Sequence, residues 1–160
     1  MNPRQISFIQ NELESSPDDN WRICFGHRPL YASNHGGADI PAGYYYLRKK
    51  IESTLNKYKI NLVLQAHEHD YERSWPVSNN GTVWQTNYTS PNAPVYVVNG
   101  AAGNREAEPT PPGKMVWQPQ DQNFTNLKSF GILTITDQSL LWQQIVSTDG
   151  SVQDQFEITK

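Results

Sequence analysis

Residues 62–76 read LVLQAHEHDYERSWP: an apolar run that ends on His67 and His69, with one residue between them. In extended chain, residues i and i+2 point to the same side. The two imidazoles can therefore face one site, and imidazole nitrogen is a ligand for Zn, Fe, Cu or Mn. Alone, the pair fits two hydrogen-bonded surface histidines equally well. His27 extends the pattern, because it follows a second apolar run, WRICFG. Two buried strands that each end in histidine would bring three of the four histidines to one sheet edge, the edge where open α/β folds bind ligands. The fourth, His35, lies in a loop eight residues after His27. Asp70, Glu72 and Arg73 follow the pair directly. Carboxylates beside metal-bound imidazoles can orient them by accepting the second ring N–H. Glu72 and Arg73 read as structural supports rather than catalysts.

These residues need a scaffold. Residues 3–15 carry Pro3 in a first turn and Ile6, Ile9 and Leu13 along one face, which predicts a helix. WRICFG predicts a short buried strand. Residues 28–43 form a loop rich in Gly and Pro. Leu47, Ile51, Leu55 and Tyr58 recur at helical spacing over 44–58. KINLVLQA is a second buried strand, completing a β–loop–α–β order with parallel strands. TVWQTNY and APVYVVNG predict further strands. Residues 100–128 carry no periodicity and much Pro, the mark of a long loop shaping access to a site. FGILTIT, SLLWQQIV and SVQDQFEIT predict an all-β tail.

Composition narrows the function classes. A formal net charge of −3 with no basic stripe argues against a nucleic-acid partner. The apolar runs are too short to span a membrane. Cys24 sits in an apolar run and reads as a small buried hydrophobe; with one cysteine there is no internal disulfide. No apolar leader stands at the N-terminus. Asn80, Asn87 and Asn123 head N-glycosylation sequons, which permit secretion without establishing it.

Four segments together resemble the purple acid phosphatases of the calcineurin-like metallophosphoesterase superfamily: GHRPLY at 26–31, AHEHDYER at 66–73, PVYVVNGAAGN at 94–104, and the tail from FGILTI to FEITK. The resemblance implies an α/β (α+β) fold, an αββα sandwich present in part and ending in antiparallel strands. It implies a dinuclear centre, Fe(III) with Zn, Fe or Mn(II), that activates water for in-line attack on a phosphate monoester. By resemblance, His27 and His67 match ligands of the divalent metal and His69 a ligand of the ferric ion. His35 matches the loop histidine that contacts the substrate phosphate and protonates the leaving alkoxide. Tyr71, Glu72 and Arg73 match the supporting YER of the last motif. The aspartate-, asparagine- and tyrosine-bearing motifs of the family, of the types GDxG, GDxxY and GNHE, do not occur.

The expectation is therefore the C-terminal half of a catalytic domain: 1–99 as core, and 100–160 as long loop plus terminal strands in the same domain. Such a chain would bind metal weakly and lack substantial phosphatase activity alone, and its cut sheet would expose an edge strand open to association. Two other readings stand beside it, a non-catalytic binding lobe and a mononuclear His₃ zinc protein. The resemblance implies a secreted, lysosomal or vacuolar placement for the full-length protein. Ala66 stands where the family usually has glycine, and its methyl group would crowd the turn.

Overall fold

The computed structural model describes residues 2–17, 21–33, 42–103, 115–119 and 127–160, in 42–44 as backbone only. The first helix, α1, runs Pro3–Ser15. Asn2 caps it: its side-chain oxygen accepts from Gln5 N at 3.0 Å, and the Gln5 side chain accepts from Asn2 N at 2.8 Å. The box satisfies two backbone donors that the first turn leaves orphaned. Strand β1 is Ile23–Phe25, and helix α2 runs Ala42–Lys57. Strands β2 (Leu62–Gln65), β3 (Tyr71–Arg73), β4 (Val77–Ser78), β5 (Val83–Trp84) and β6 (Val95–Asn99) follow. The tail forms β7 (Ser129–Ile135), β8 (Ser139–Val146) and β9 (Val152–Thr159).

The central sheet has the order β1-β2-β6-β3. Its first three strands are parallel, while β3 runs antiparallel to β6. On one face, Ile51 and Leu55 of α2 pack with Leu30, Tyr31, Val63, Tyr96 and Trp117, and α1 adds Ile9 and Leu13. On the other face, Leu62, Tyr71, Val95 and Val97 pack against Leu140, Trp142, Phe156 and Ile158 of the antiparallel β7-β8-β9 sheet. Each strand of a doubly covered sheet can be apolar throughout, which is why LVLQ and VYVVN stood out in the sequence.

The WRICFG strand is less buried than expected, with Ile23 and Cys24 half-buried and Phe25 82% exposed, because β1 is the edge of its sheet, and two further readings need correction. The charged triplet of β3 was not expected as a strand, yet all three residues are buried and in register with β6. Residues 115–119, inside the expected access loop, do core work: Trp117 is 3% exposed and Gln118 is fully buried.

Candidate metal centre

Parallel pairing places the C-terminal ends of β1, β2 and β6 on one edge. The ladder continues past the strands themselves. Gly26 N donates to Leu64 O at 3.0 Å, and Ala66 N donates to His27 O at 3.1 Å. The backbone thus ties His27 to the residue before His67. His67 Nδ1 lies 2.9 Å from His27 Nε2, and the two rings stand edge to face with centroids 4.9 Å apart. This is the separation at which two imidazoles share a proton or, both neutral, turn toward one cation.

The backbone at His67 is unusual. Its φ is +72°, a left-handed conformation that L side chains seldom adopt. Glu68 N donates to Ala66 O at 2.9 Å, closing a three-residue turn around it. Such strain persists where surrounding structure over-determines it, and it clusters at functional sites. The left-handed residue is His67 and not Ala66, so the alanine in place of the family's glycine meets no conformational penalty.

The turn is held from the far side by Gly100. Gly100 N donates to Asp70 O at 3.0 Å. A Cβ added at Gly100 would stand 1.8 Å from Glu68 O and 3.5 Å from His69 Cα. Only glycine permits this approach. Sequence reasoning missed Gly100, although the bare Gly that follows β6 in VVNG was the available signal.

Electrostatics favour neutral imidazole at His67. Desolvation, followed by the nearby Arg28 guanidinium, pushes its pKa below the ordinary histidine value. Arg28 Nη1 lies 3.4 Å from His67 Nε2. A neutral ring keeps a lone pair for a metal.

Of the expected ligands, the structure brings His27 and His67 together. His69 is half-buried on the same turn, but among the described residues no three His, Cys, Asp or Glu side chains gather closely enough to hold an ion. Two imidazoles fit one divalent cation as partial ligands; they do not complete a site. His35 lies outside the described residues.

The supports divide by side of the sheet. Glu72 accepts from Ser33 N at 2.8 Å, Ser33 Oγ at 2.9 Å and Gln118 Nε2 at 2.7 Å. It thereby anchors the root of the loop that leads to His35. Burial, and then the neighbouring Asp70 charge, raise its pKa well above the usual carboxylate range. Tyr71 and Arg73 point the other way. Tyr71 donates to Asp154 Oδ2 at 2.6 Å, and Arg73 Nε meets the same oxygen at 2.6 Å. This pair bolts the β7-β8-β9 sheet to the central one.

Comparison with known proteins points to one family. The family profile described as "Iron/zinc purple acid phosphatase-like protein C" matches residues 93–155. "Acid phosphatase type 7" of Danio rerio is 32% identical over 94% of this chain and 37% of its own length. "Probable inactive purple acid phosphatase 1" of Arabidopsis thaliana is 30% identical over 98% of this chain and 26% of its own length. The solved purple acid phosphatase PPD1 from yellow lupin (Lupinus luteus) seeds superimposes with a TM-score of 0.82 at 29% identity, covering 99% of this chain and 28% of that one. The chain spans about a third of the length of the curated relatives it matches.

Proposed function

We propose, because the chain belongs to the purple acid phosphatase family, that it supplies the histidine-bearing edge of a two-metal phosphomonoesterase centre. The observation that carries this reading is the His27–His67 pair, held by a strained turn at the C-terminal ends of parallel strands. In this reading His27 and His67 hold the divalent ion (Zn, Fe or Mn), His69 serves the ferric ion, and His35 contacts the phosphate ester and gives the leaving alkoxide its proton. A bound metal pair would supply Lewis-acid stabilisation of phosphoryl charge. This chain's own residues fix the imidazoles, keep His67 neutral and anchor the loop root through Glu72 and Gln118.

The carboxylate ligands would come from segments beyond the four matching motifs, paired along the β1 edge. That edge bonds to β2 alone among the described strands, and its Phe25 is 82% exposed. The domain assignment, 1–99 with 100–160 in one structural domain, is supported by the second core, which joins both parts. We place the complete protein in a secreted, lysosomal or vacuolar compartment; among the described residues no helix is long and apolar enough to cross a membrane.

The test compares this chain with an N-terminally extended one, measuring metal content and turnover of a phosphate monoester with added iron and zinc. The expected result is weak binding and negligible turnover for this chain and both properties in the longer one. Robust turnover by this chain refutes the reading. A non-catalytic lobe is the second reading, favoured by the relative named as inactive; it requires both forms to be inactive. The mononuclear zinc reading finds two of its three imidazoles together.

A further inference from the structure

The sequons remain unused by the metal chemistry, and the two described ones differ in kind. In the first, Asn80 is built into the fold. Its Oδ1 accepts from Nε of Arg48, a guanidinium only 1% exposed, and its backbone N donates to Glu52. Asn79, Asn80 and Gly81 all hold positive φ, forming one tight left-handed turn. Gly81 N donates to Tyr31 Oη at 3.0 Å. The sequon hydroxyl is engaged too: Thr82 Oγ1 donates to Asn79 O and accepts from Asn79 Nδ2, both at 2.8 Å.

Asn87 is exposed. Its Oδ1 accepts from Thr89 N at 3.1 Å. That bond is local to the sequon and engages the carbonyl oxygen, not the amide nitrogen.

The order of synthesis separates them further. The side chains that hydrogen-bond the Asn80 turn, Tyr31, Arg48 and Glu52, all precede it in the chain, and only the Trp117 ring packed on Gly81 comes later. The backbone around Asn87 is fixed by Thr159: Thr159 N donates to Tyr88 O, Ser90 N donates to Thr159 O, and Thr89 bridges Thr159. Some seventy residues must be made before that clamp can close. At about 5–20 residues per second, the Asn87 segment stays unfixed for several seconds.

We propose that Asn87 is an N-glycosylation site of this chain and that Asn80 stays largely unmodified. The donor is a lipid-pyrophosphate-linked oligosaccharide. Nδ2 of Asn87 forms a bond to the anomeric carbon of the first sugar, the bond from that carbon to the pyrophosphate oxygen breaks, and the amide proton leaves to a base. No oxidation or reduction occurs. The proposal rests on the secretory placement above.

To test it, the full chain is expressed in a eukaryotic host behind a cleavable secretion leader and a short tag carrying its own sequon. Chains with a glycosylated tag have reached the lumen, and only these are counted. Enzymatic release of glycans converts each occupied Asn to Asp, read by peptide mass spectrometry. Asn87 occupancy is expected to exceed that of Asn80 several-fold, and N87Q to remove a glycan that N80Q retains. Equal or greater occupancy at Asn80, or an unmodified Asn87 in tag-glycosylated chains, overturns the proposal. Recovery of the full-length protein, expressed without an added leader, from the cytosolic fraction overturns the placement instead.

Discussion

Gly100→Ala tests the candidate centre most directly. The added Cβ would lie 1.8 Å from Glu68 O and 2.9 Å from Glu68 C, whereas real Cβ contacts do not fall below 3.0 Å. Both obstacles are backbone atoms, so no side chain can swing aside. The two segments must part by more than 1 Å, and the segment that moves carries His67 and His69. Overpacking of this kind costs about 1–3 kcal/mol of stability. Displacing the supports of a metal ligand typically costs about 10–100-fold in affinity. Gly131→Ala is the matched control. Its Cβ would meet the Trp142 ring at 1.9 Å, in the sheet remote from the histidines. Gly26→Ala is a neutral control, since nothing lies within 4 Å of its added Cβ. The assay is zinc titration by calorimetry alongside thermal melting. We expect G100A to lose both stability and zinc affinity, G131A to lose stability alone, and G26A to lose neither. Wild-type zinc affinity in G100A, or equal affinity loss in G131A, refutes the claim that Gly100 positions the imidazoles.

Three further outcomes follow from named contacts. In the N-terminally extended protein, His67→Ala removes one of two facing donors, so bound zinc measured by elemental analysis should fall well below the wild-type content; an unchanged zinc content would place the ion elsewhere. Asp154→Ala strips the buried Arg73 guanidinium and the Tyr71 hydroxyl of a shared acceptor. Denaturant unfolding should then show a loss of about 3–5 kcal/mol, as for other broken buried pairs, with D154N intermediate. Glu72 has a folded-state pKa raised by burial and by Asp70. Its contribution to stability is therefore full at pH below the ordinary carboxylate range and is lost as pH rises through the raised folded value. The melting temperature should fall on going from pH 5 to neutrality, and Glu72→Gln, fixed in the neutral form, should flatten that fall; an unchanged slope in E72Q counts against it.

Much of the scaffold was legible because its signals are local. Pro3 in a first turn and the 3.6-residue spacing of Ile6, Ile9 and Leu13 announce α1. The apolar runs around Leu62 and Val95 announce parallel strands buried on both faces. Meeting of His27 and His67 followed from one rule, that adjacent parallel strands end on the same edge. What stayed hidden depends on partners far away in sequence. Tyr71-Glu72-Arg73 reads as a set of supports, but what it supports stays hidden until Asp154, Ser33 and Gln118 are seen to bind it. Trp117 and Gln118 sit in a stretch without period, so nothing local marks one as core and the other as a ligand of Glu72. Gly100 is one of ten glycines, and its role lies in the closeness of Glu68.

The buried polar groups around this edge carry one further step. Tyr31 donates to Glu52, Glu52 accepts from Asn80 N, and Arg48 binds Leu30 O while lying 4.5 Å from the Tyr31 ring centroid. Gln65 accepts from Leu30 N and donates to Tyr31 O. Together with Glu72 on Ser33, these contacts hold residues 30–33 against the sheet by hydrogen bonds as well as by the apolar burial of Leu30 and Tyr31. As a route to stability this is inefficient, because each buried polar group forfeits hydration and gains about 1 kcal/mol net when paired. Well-packed apolar residues of similar volume are often as stable or more so. What a saturated polar network does give is a single geometry, since any shift leaves a donor or acceptor unmet at a cost of about 1–3 kcal/mol. That geometry is concentrated where the chain leaves His27 and heads toward His35, and where a left-handed His67 must be kept in a conformation it would otherwise leave. The polar burial and the backbone strain are two sides of one arrangement, in which the sheet edge holds His27 and His67 in fixed positions.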